Sequence, residues 1–222
     1  MAPLGLSLIL YAAAVVGAVL GAAAGRSLVH GVGKPIATVL LFAVLGSVPA
    51  DPFGYLVFNG IVLSLAADIA LLAEGNEALV VGLALFLVAQ LCYGFAFLGA
   101  GPGGWLVAPG LAVFGGCSAW LVRRQWRGMD AGLRGPVGVH AVSLTVMMAG
   151  VFSTLAGQGS LELAAVAALG ATLFYFSQAL LPWARLQRSS LWAQPMTLAL
   201  YWGGQLCLVL AARWNLAGKV ML

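Results

Sequence analysis

The sequence predicts an all-α, polytopic membrane protein of about eight transmembrane helices, forming a single integral membrane domain over residues 1–222. Three observations predict it. Apolar residues make up 63% of the chain and charged residues only 7%, against about 25% charged residues in soluble domains. Mean hydropathy is +1.05. The apolar residues fall in runs of roughly 20, the length that crosses a bilayer core as a helix, and nothing alternates at period two as in an outer-membrane barrel. The formal net charge of +4 reads as loop asymmetry facing anionic headgroups, not as a nucleic-acid patch.

The first helix is predicted over Leu4–Ala24. The N-terminus lacks a basic n-region and is long enough to span, so it reads as a helix and not as a cleaved signal. Gly17, Gly21 and Gly25 share one face, which would let a neighbouring backbone approach closely. A polar link with Arg26, His30 and Lys34 follows, and Pro35 opens the second helix (Pro35–Val48) as its first helical residue. Gly33-Lys34 is not a phosphate loop: no strand precedes it, the glycine pattern is incomplete, and no Ser or Thr follows the lysine. No cofactor is expected.

The third helix (Phe53–Ala73) carries Asp68 and ends at Glu74-Gly75-Asn76-Glu77; the fourth (Ala78–Leu98) carries Gln90 and Tyr93. The fifth (Trp105–Val122) runs into a basic loop with Arg123, Arg124, Arg127 and Arg134. The sixth (Pro136–Leu155) contains His140, the seventh (Leu161–Trp183) contains Tyr175, Ser177 and Gln178, and the eighth (Gln194–Trp214) contains Tyr201 and Gln205. Cys92, Cys117 and Cys207 lie in apolar runs without a CxxC and read as small buried hydrophobes.

With eight spans, the loops after helices one, three, five and seven share a side. They hold Arg26, Lys34, Arg123, Arg124, Arg127, Arg134, Arg185 and Arg188, while the other side holds Arg213 and Lys219. The positive-inside rule then puts both termini outside the cytoplasm. Arginine over lysine, with abundant Ala and Gly, points to a GC-rich bacterial genome; the expected location is a cell membrane, a bacterial inner membrane.

Asp68 stands out. An ionisable group inside a span costs about 2.5–3.5 kcal/mol on insertion scales and is a functional-site hypothesis by default. The structural alternative is a carboxyl satisfied by helix–helix hydrogen bonds, Ser64 one turn away being one candidate. Asp68 and Gln178 near the C-terminal ends of their helices, and His140 and Lys34 near the start of theirs, all fall within roughly 10 Å of the cytoplasmic boundary, with Gln90, Tyr201 and Gln205 deeper. They describe a pocket open to the cytoplasmic leaflet. An internal repeat sharpens this: LSLAADIALL parallels LFYFSQALLP, LFLVAQLCY parallels LYWGGQLCLV, and GKPIATVLL parallels RGPVGVHAV. Four helices separate the members of each pair, so the halves keep one orientation. Asp68 and Gln178 become equivalent positions, expected to face each other near the pseudo-axis.

Six blocks carry a family resemblance: Lys34-Pro35, LSLAADIALL (63–72), GLALFLVAQLCYGFAF (82–97), RGPVGVHAVSLTVMMA (134–149), ALGATLFYFSQALL (168–181) and LYWGGQL (200–206). In this order, spanning nearly the whole chain, they resemble the YhhN-like lysoplasmalogenase family of integral membrane proteins. The resemblance implies hydrolysis of the vinyl ether bond of a lysophospholipid substrate, giving a fatty aldehyde and a glycerophospho-alcohol. It also implies an acidic residue at position 68 and another at 178, with histidine usual at 90 and tyrosine usual at 140. This chain keeps Asp68 and carries Gln178, Gln90 and His140.

Vinyl ether hydrolysis begins with a proton delivered to the enol ether carbon, followed by water attack on the oxocarbenium ion and collapse of the hemiacetal. Desolvation favours the neutral form of a carboxyl group, which suits it to general-acid work. Gln178 can orient water or substrate, but its amide exchanges no proton at neutral pH. The expected catalytic pair is therefore Asp68 and Gln178, with Lys34, Gln90, His140, Tyr201 and Gln205 binding substrate. Lys34 and the arginines near the basic loop would hold the lipid phosphate. The competing readings are a relative that binds or moves an amphiphile through the same pocket and, third, a transporter of a small polar solute.

Overall fold

The computed structural model describes residues 4–25, 27–46, 52–100, 104–156, 161–186 and 192–220. Within them the chain forms eight α-helices: α1 Leu4–Ala23, α2 Ser27–Leu45, α3 Pro52–Ala70, α4 Asn76–Ala100, α5 Gly104–Gln125, α6 Ala131–Ser153, α7 Leu161–Leu186 and α8 Ala193–Val220. Short 3₁₀ turns follow α5 (Trp126–Gly128) and α6 (Thr154–Ala156). Seven of the helices, all but α2, contain a stretch long and apolar enough to cross a membrane, and α2 contributes a shorter apolar stretch, Gly31–Leu45. Large apolar side chains such as Ile9, Leu20, Val113, Val139 and Val142 point outward. An outer surface of this kind suits hydrocarbon and not water. The protein is an all-α, multi-pass membrane protein.

Two helix starts differ from the sequence reading. Pro35 lies inside α2, eight residues after its first residue Ser27, and Pro136 lies inside α6, which starts at Ala131. Proline is tolerated within a membrane helix when neighbouring groups satisfy the backbone it frees. His30 and Lys34 are helical residues, not a polar link. Lys34 belongs in a helix because its charge has a partner on another helix, information that local sequence does not contain.

Of the glycine face expected on α1, Gly21 is buried, but the other two glycines make no close approach. Gly17 has open space beside it, and Gly25 ends the helix in the left-handed region at φ 67°. The α1–α2 approach instead uses Gly33, where a Cβ would stand 2.7 Å from the Ala18 methyl. The tightest crossings lie elsewhere. A Cβ on Gly150 of α6 would collide with the carbonyl oxygen of Gly94 on α4, and one on Gly204 of α8 would stand 2.5 Å from the Phe174 amide nitrogen on α7. Small residues at such crossings replace the hydrophobic driving force that is missing between helices in lipid.

The packing follows the sequence repeat. Contacts α1 with α2, α3 with α4, α2 with α3 and α4 with α6 recur as α5 with α6, α7 with α8, α6 with α7 and α8 with α2. Phe86 of α4 and Tyr201 of α8, equivalent positions in the repeat, pack edge to face with ring centroids 5.7 Å apart. Phe174 of α7 lies against both rings, at 6.4 and 5.7 Å. This aromatic group joins the two halves.

Candidate functional site

Asp68 lies two residues before the end of α3 and is 1% exposed. Its Oδ2 accepts hydrogen bonds from Thr38 Oγ1 of α2 at 2.7 Å and from Tyr201 OH of α8 at 2.8 Å. Lys34 Nζ, one helical turn before Thr38, is 3.5 Å from Oδ1. Four-residue spacing on α2 places lysine and threonine on one face, toward the carboxyl. All four side chains are buried. A charge in such a place is tolerable only when paired and hydrogen-bonded, and here it is both. Lys34 is thus turned onto Asp68 instead of standing at an open mouth.

A second polar chain begins one turn away. Tyr93 OH donates to Gln205 Oε1 at 2.8 Å, and Gln205 Nε2 donates to Ser64 Oγ at 2.9 Å. Ser64, one candidate partner for Asp68, is taken by this chain, which ties α3, α4 and α8 together.

Gln90 and His140 meet in a third group, between α4 and α6. His140 Nδ1 is 3.3 Å from the Leu83 carbonyl, so that nitrogen carries the proton, and Nε2 accepts from the Gln90 amide at 3.3 Å. Ser143 donates to Gln90 Oε1 in a short contact. Both ring nitrogens therefore have protein partners.

Gln178 is 2% exposed, and its Oε1 has no hydrogen-bond partner among the described residues. It borders a narrow cleft between α5, α6 and α7 together with Ser118, His140, Leu144 and Pro182. The carboxyl of Asp68 has its partners on α2 and α8; the carboxamide of Gln178 faces α5 and α6. The repeat makes these positions equivalent without joining them in one hydrogen-bonded group. Positions matching Lys34, Thr38, Ser64 and Tyr201 in the other half are Gly135, Val139, Phe174 and Phe86. Each polar partner has an apolar or side-chain-free counterpart, so the ionisable site exists once.

Of the residues singled out from the sequence, the structure joins Lys34, Asp68 and Tyr201 directly, sets Gln205 beside them, and brings Gln90, His140 and Gln178 to the neighbourhood of α6. Thr38 and Ser143 were not anticipated. Their signal was helical spacing: Thr38 is four residues after Lys34, and Ser143 three after His140. On the arginine-rich side, Arg124 stacks on Trp120 and Arg134 on Trp126, with 5.4 and 5.3 Å from guanidinium carbon to ring centroid. Such pairs are usual where a span meets the headgroups.

No curated protein and no solved structure matches the chain. The model of the YhhN family matches residues 29–212, most of the chain and every polar group described above, and the protein belongs to the YhhN family.

Proposed function

We propose that this protein is an intramembrane hydrolase of the lysoplasmalogenase type, cleaving the vinyl ether bond of a lysoplasmalogen to a fatty aldehyde and a glycerophospho-alcohol. The observation that carries the reading is the buried carboxyl of Asp68, anchored through Oδ2 by Thr38 and Tyr201 with Oδ1 toward Lys34. Family membership adds to it.

The chemistry asks for an acid in a dry place. Asp68 in its acid form protonates the enol ether carbon, and its conjugate base then faces the oxocarbenium ion at close range. Water adds to that ion, and the hemiacetal collapses to aldehyde and alcohol. General-acid catalysis of this sort is worth about 10²–10⁴ in rate. The Gln178 carboxamide, with Oε1 open to its cleft, orients water or the headgroup end of the substrate. Lys34, Gln90, His140, Tyr201 and Gln205 shape the walls around the substrate. The basic residues of the α5–α6 connection support an orientation with this end of the bundle toward the cytoplasm and both termini on the opposite side of a bacterial inner membrane.

One observation favours a second reading. Gln178 stands where the family resemblance expects an acid, which fits a relative that binds or moves an amphiphilic lipid without cleaving it. Release of aldehyde from a defined lysoplasmalogen by the purified protein separates the two. Turnover lost in Asp68→Asn supports the hydrolase. No turnover by the natural sequence, with activity appearing in Gln178→Asp, supports the binding protein.

A further inference from the structure

We propose that Lys34 is the second proton-handling group of this site, doing with Asp68 what a paired carboxylate would otherwise do. The inference rests on the hydrolase reading and assigns the partner that reading lacks.

The geometry singles out one atom. Oδ2 of Asp68 already accepts two hydrogen bonds, from Thr38 and Tyr201, so Oδ1 is the oxygen left for proton transfer. The group facing Oδ1 is the Lys34 ammonium, 3.5 Å from it. Among the described residues, the other titratable groups that face Asp68 are tyrosines: Tyr11 from α1, Tyr93 from α4 and Tyr201 from α8. Their hydroxyl protons are committed to the Trp202 carbonyl, Gln205 and Asp68 itself. Gln178 cannot take the role, because an amide exchanges no proton and its own half lacks counterparts to Lys34, Thr38 and Tyr201.

The cycle balances without a second acid. A proton moves from Lys34 Nζ to Asp68 Oδ1, turning the ion pair into a neutral amine and a carboxylic acid. The acid proton then goes to the enol ether carbon, whose π electrons form the new C–H bond and leave an oxocarbenium ion beside the regenerated carboxylate. The Lys34 amine removes a proton from the attacking water as its oxygen bonds to the cationic carbon, which restores the ammonium. In the hemiacetal that results, the hydroxyl proton passes through the same pair to the departing alcohol oxygen as the C–O bond breaks. One water is consumed, and Lys34 and Asp68 return to their starting forms. Thr38 and Tyr201 are positioning residues that keep Oδ1 turned toward both partners.

The test uses the purified full chain and two independent readouts. The first is thermal stability in a double-mutant cycle. Lys34→Met and Asp68→Asn each leave a buried polar partner behind and lower the melting temperature. The double variant removes both and melts above the Lys34→Met single. A double variant that melts below both singles overturns the pairing. The second readout is aldehyde release. Lys34→Met loses about 100-fold or more in kcat with KM nearly unchanged. Lys34→Arg restores the charge and the stability but not kcat, because a guanidinium does not give up its proton. A Lys34→Arg enzyme with kcat within about twofold of the natural one would show that charge alone suffices, which overturns the proton role. If arginine does not fit, Lys34→Ala supplies the same decision: ethylamine in the assay restores turnover and ethylguanidine does not, and equal rescue by both contradicts the assignment. A natural protein with no turnover at all overturns the hydrolase reading and the proton role with it, while the stability cycle still decides whether the pair exists.

Discussion

Tyr201 and Phe86 occupy matching places in the two halves of the chain and touch each other, yet only Tyr201 carries a hydroxyl, and that hydroxyl is bound to Asp68. The difference of one oxygen atom summarises the asymmetry of the protein. The helix packing repeats, and the ionisable chemistry does not.

Tyr201→Phe therefore removes a donor while keeping the ring against Phe86 and Phe174. A hydrogen bond to a charged group is worth about 1.5–3 kcal/mol. The expected result is a lower melting temperature and a fall in kcat of at least about tenfold, measured side by side on the purified variant. Thr38→Ser keeps the second donor and stays close to the natural protein in both measurements; Thr38→Val does not.

Gln178→Met is expected to behave in the opposite way for stability. The Gln178 Oε1 is buried without a partner among the described residues, and an unsatisfied buried acceptor costs about 1–3 kcal/mol. Methionine fills a similar volume with no such atom. The melting temperature should hold or rise while aldehyde release falls, a combination that separates a residue kept for function from one kept for packing. A clear loss of stability would show that the carboxamide is bound by protein groups in solution.

Gly150→Ala tests the α4–α6 crossing. The added methyl meets the Gly94 carbonyl, which is backbone and cannot swing aside. Overpacking of this kind costs about 1–3 kcal/mol, and separating the helices would also stretch the Gln90–His140–Ser143 group. Lower thermal stability is the expected outcome. Gly17→Ala on α1, which meets nothing within 4 Å, serves as the neutral control.

Much of the fold was legible in the sequence. Eight apolar runs gave eight helices because a membrane helix satisfies its own backbone and needs only length and hydropathy. What local sequence hid was the position of Lys34. A lysine beside a proline reads as a connection until its counter-charge is known, and Asp68 is 34 residues further along the chain. Pro136 misled in the same way, since a proline in the second turn of α6 resembles one at its start. The repeat matches Asp68 with Gln178 along the sequence. It did not reveal that they look toward different helices, because a parallel repeat fixes equivalence and says nothing of which neighbours kept their polar atoms. Ser64 shows the same limit: one-turn spacing from Asp68 made the pairing plausible, and Gln205, from α8, is bonded to that hydroxyl instead.

Orientation has its own test. Gly128 sits in the arginine-rich turn between α5 and α6. A cysteine placed there in a background without Cys92, Cys117 and Cys207 should react with a membrane-impermeant maleimide only after the cytoplasmic face is exposed, as in inverted vesicles. Labelling in intact cells would reverse the proposed topology.

The central claim is that Asp68 is the acid of a vinyl ether hydrolase, and the most direct measurement is aldehyde formation from a defined lysoplasmalogen by the purified protein and by its Asp68→Asn variant. The account predicts turnover by the natural protein and a loss of about 10²–10⁴-fold in the folded variant. Turnover that Asp68→Asn leaves intact would contradict it.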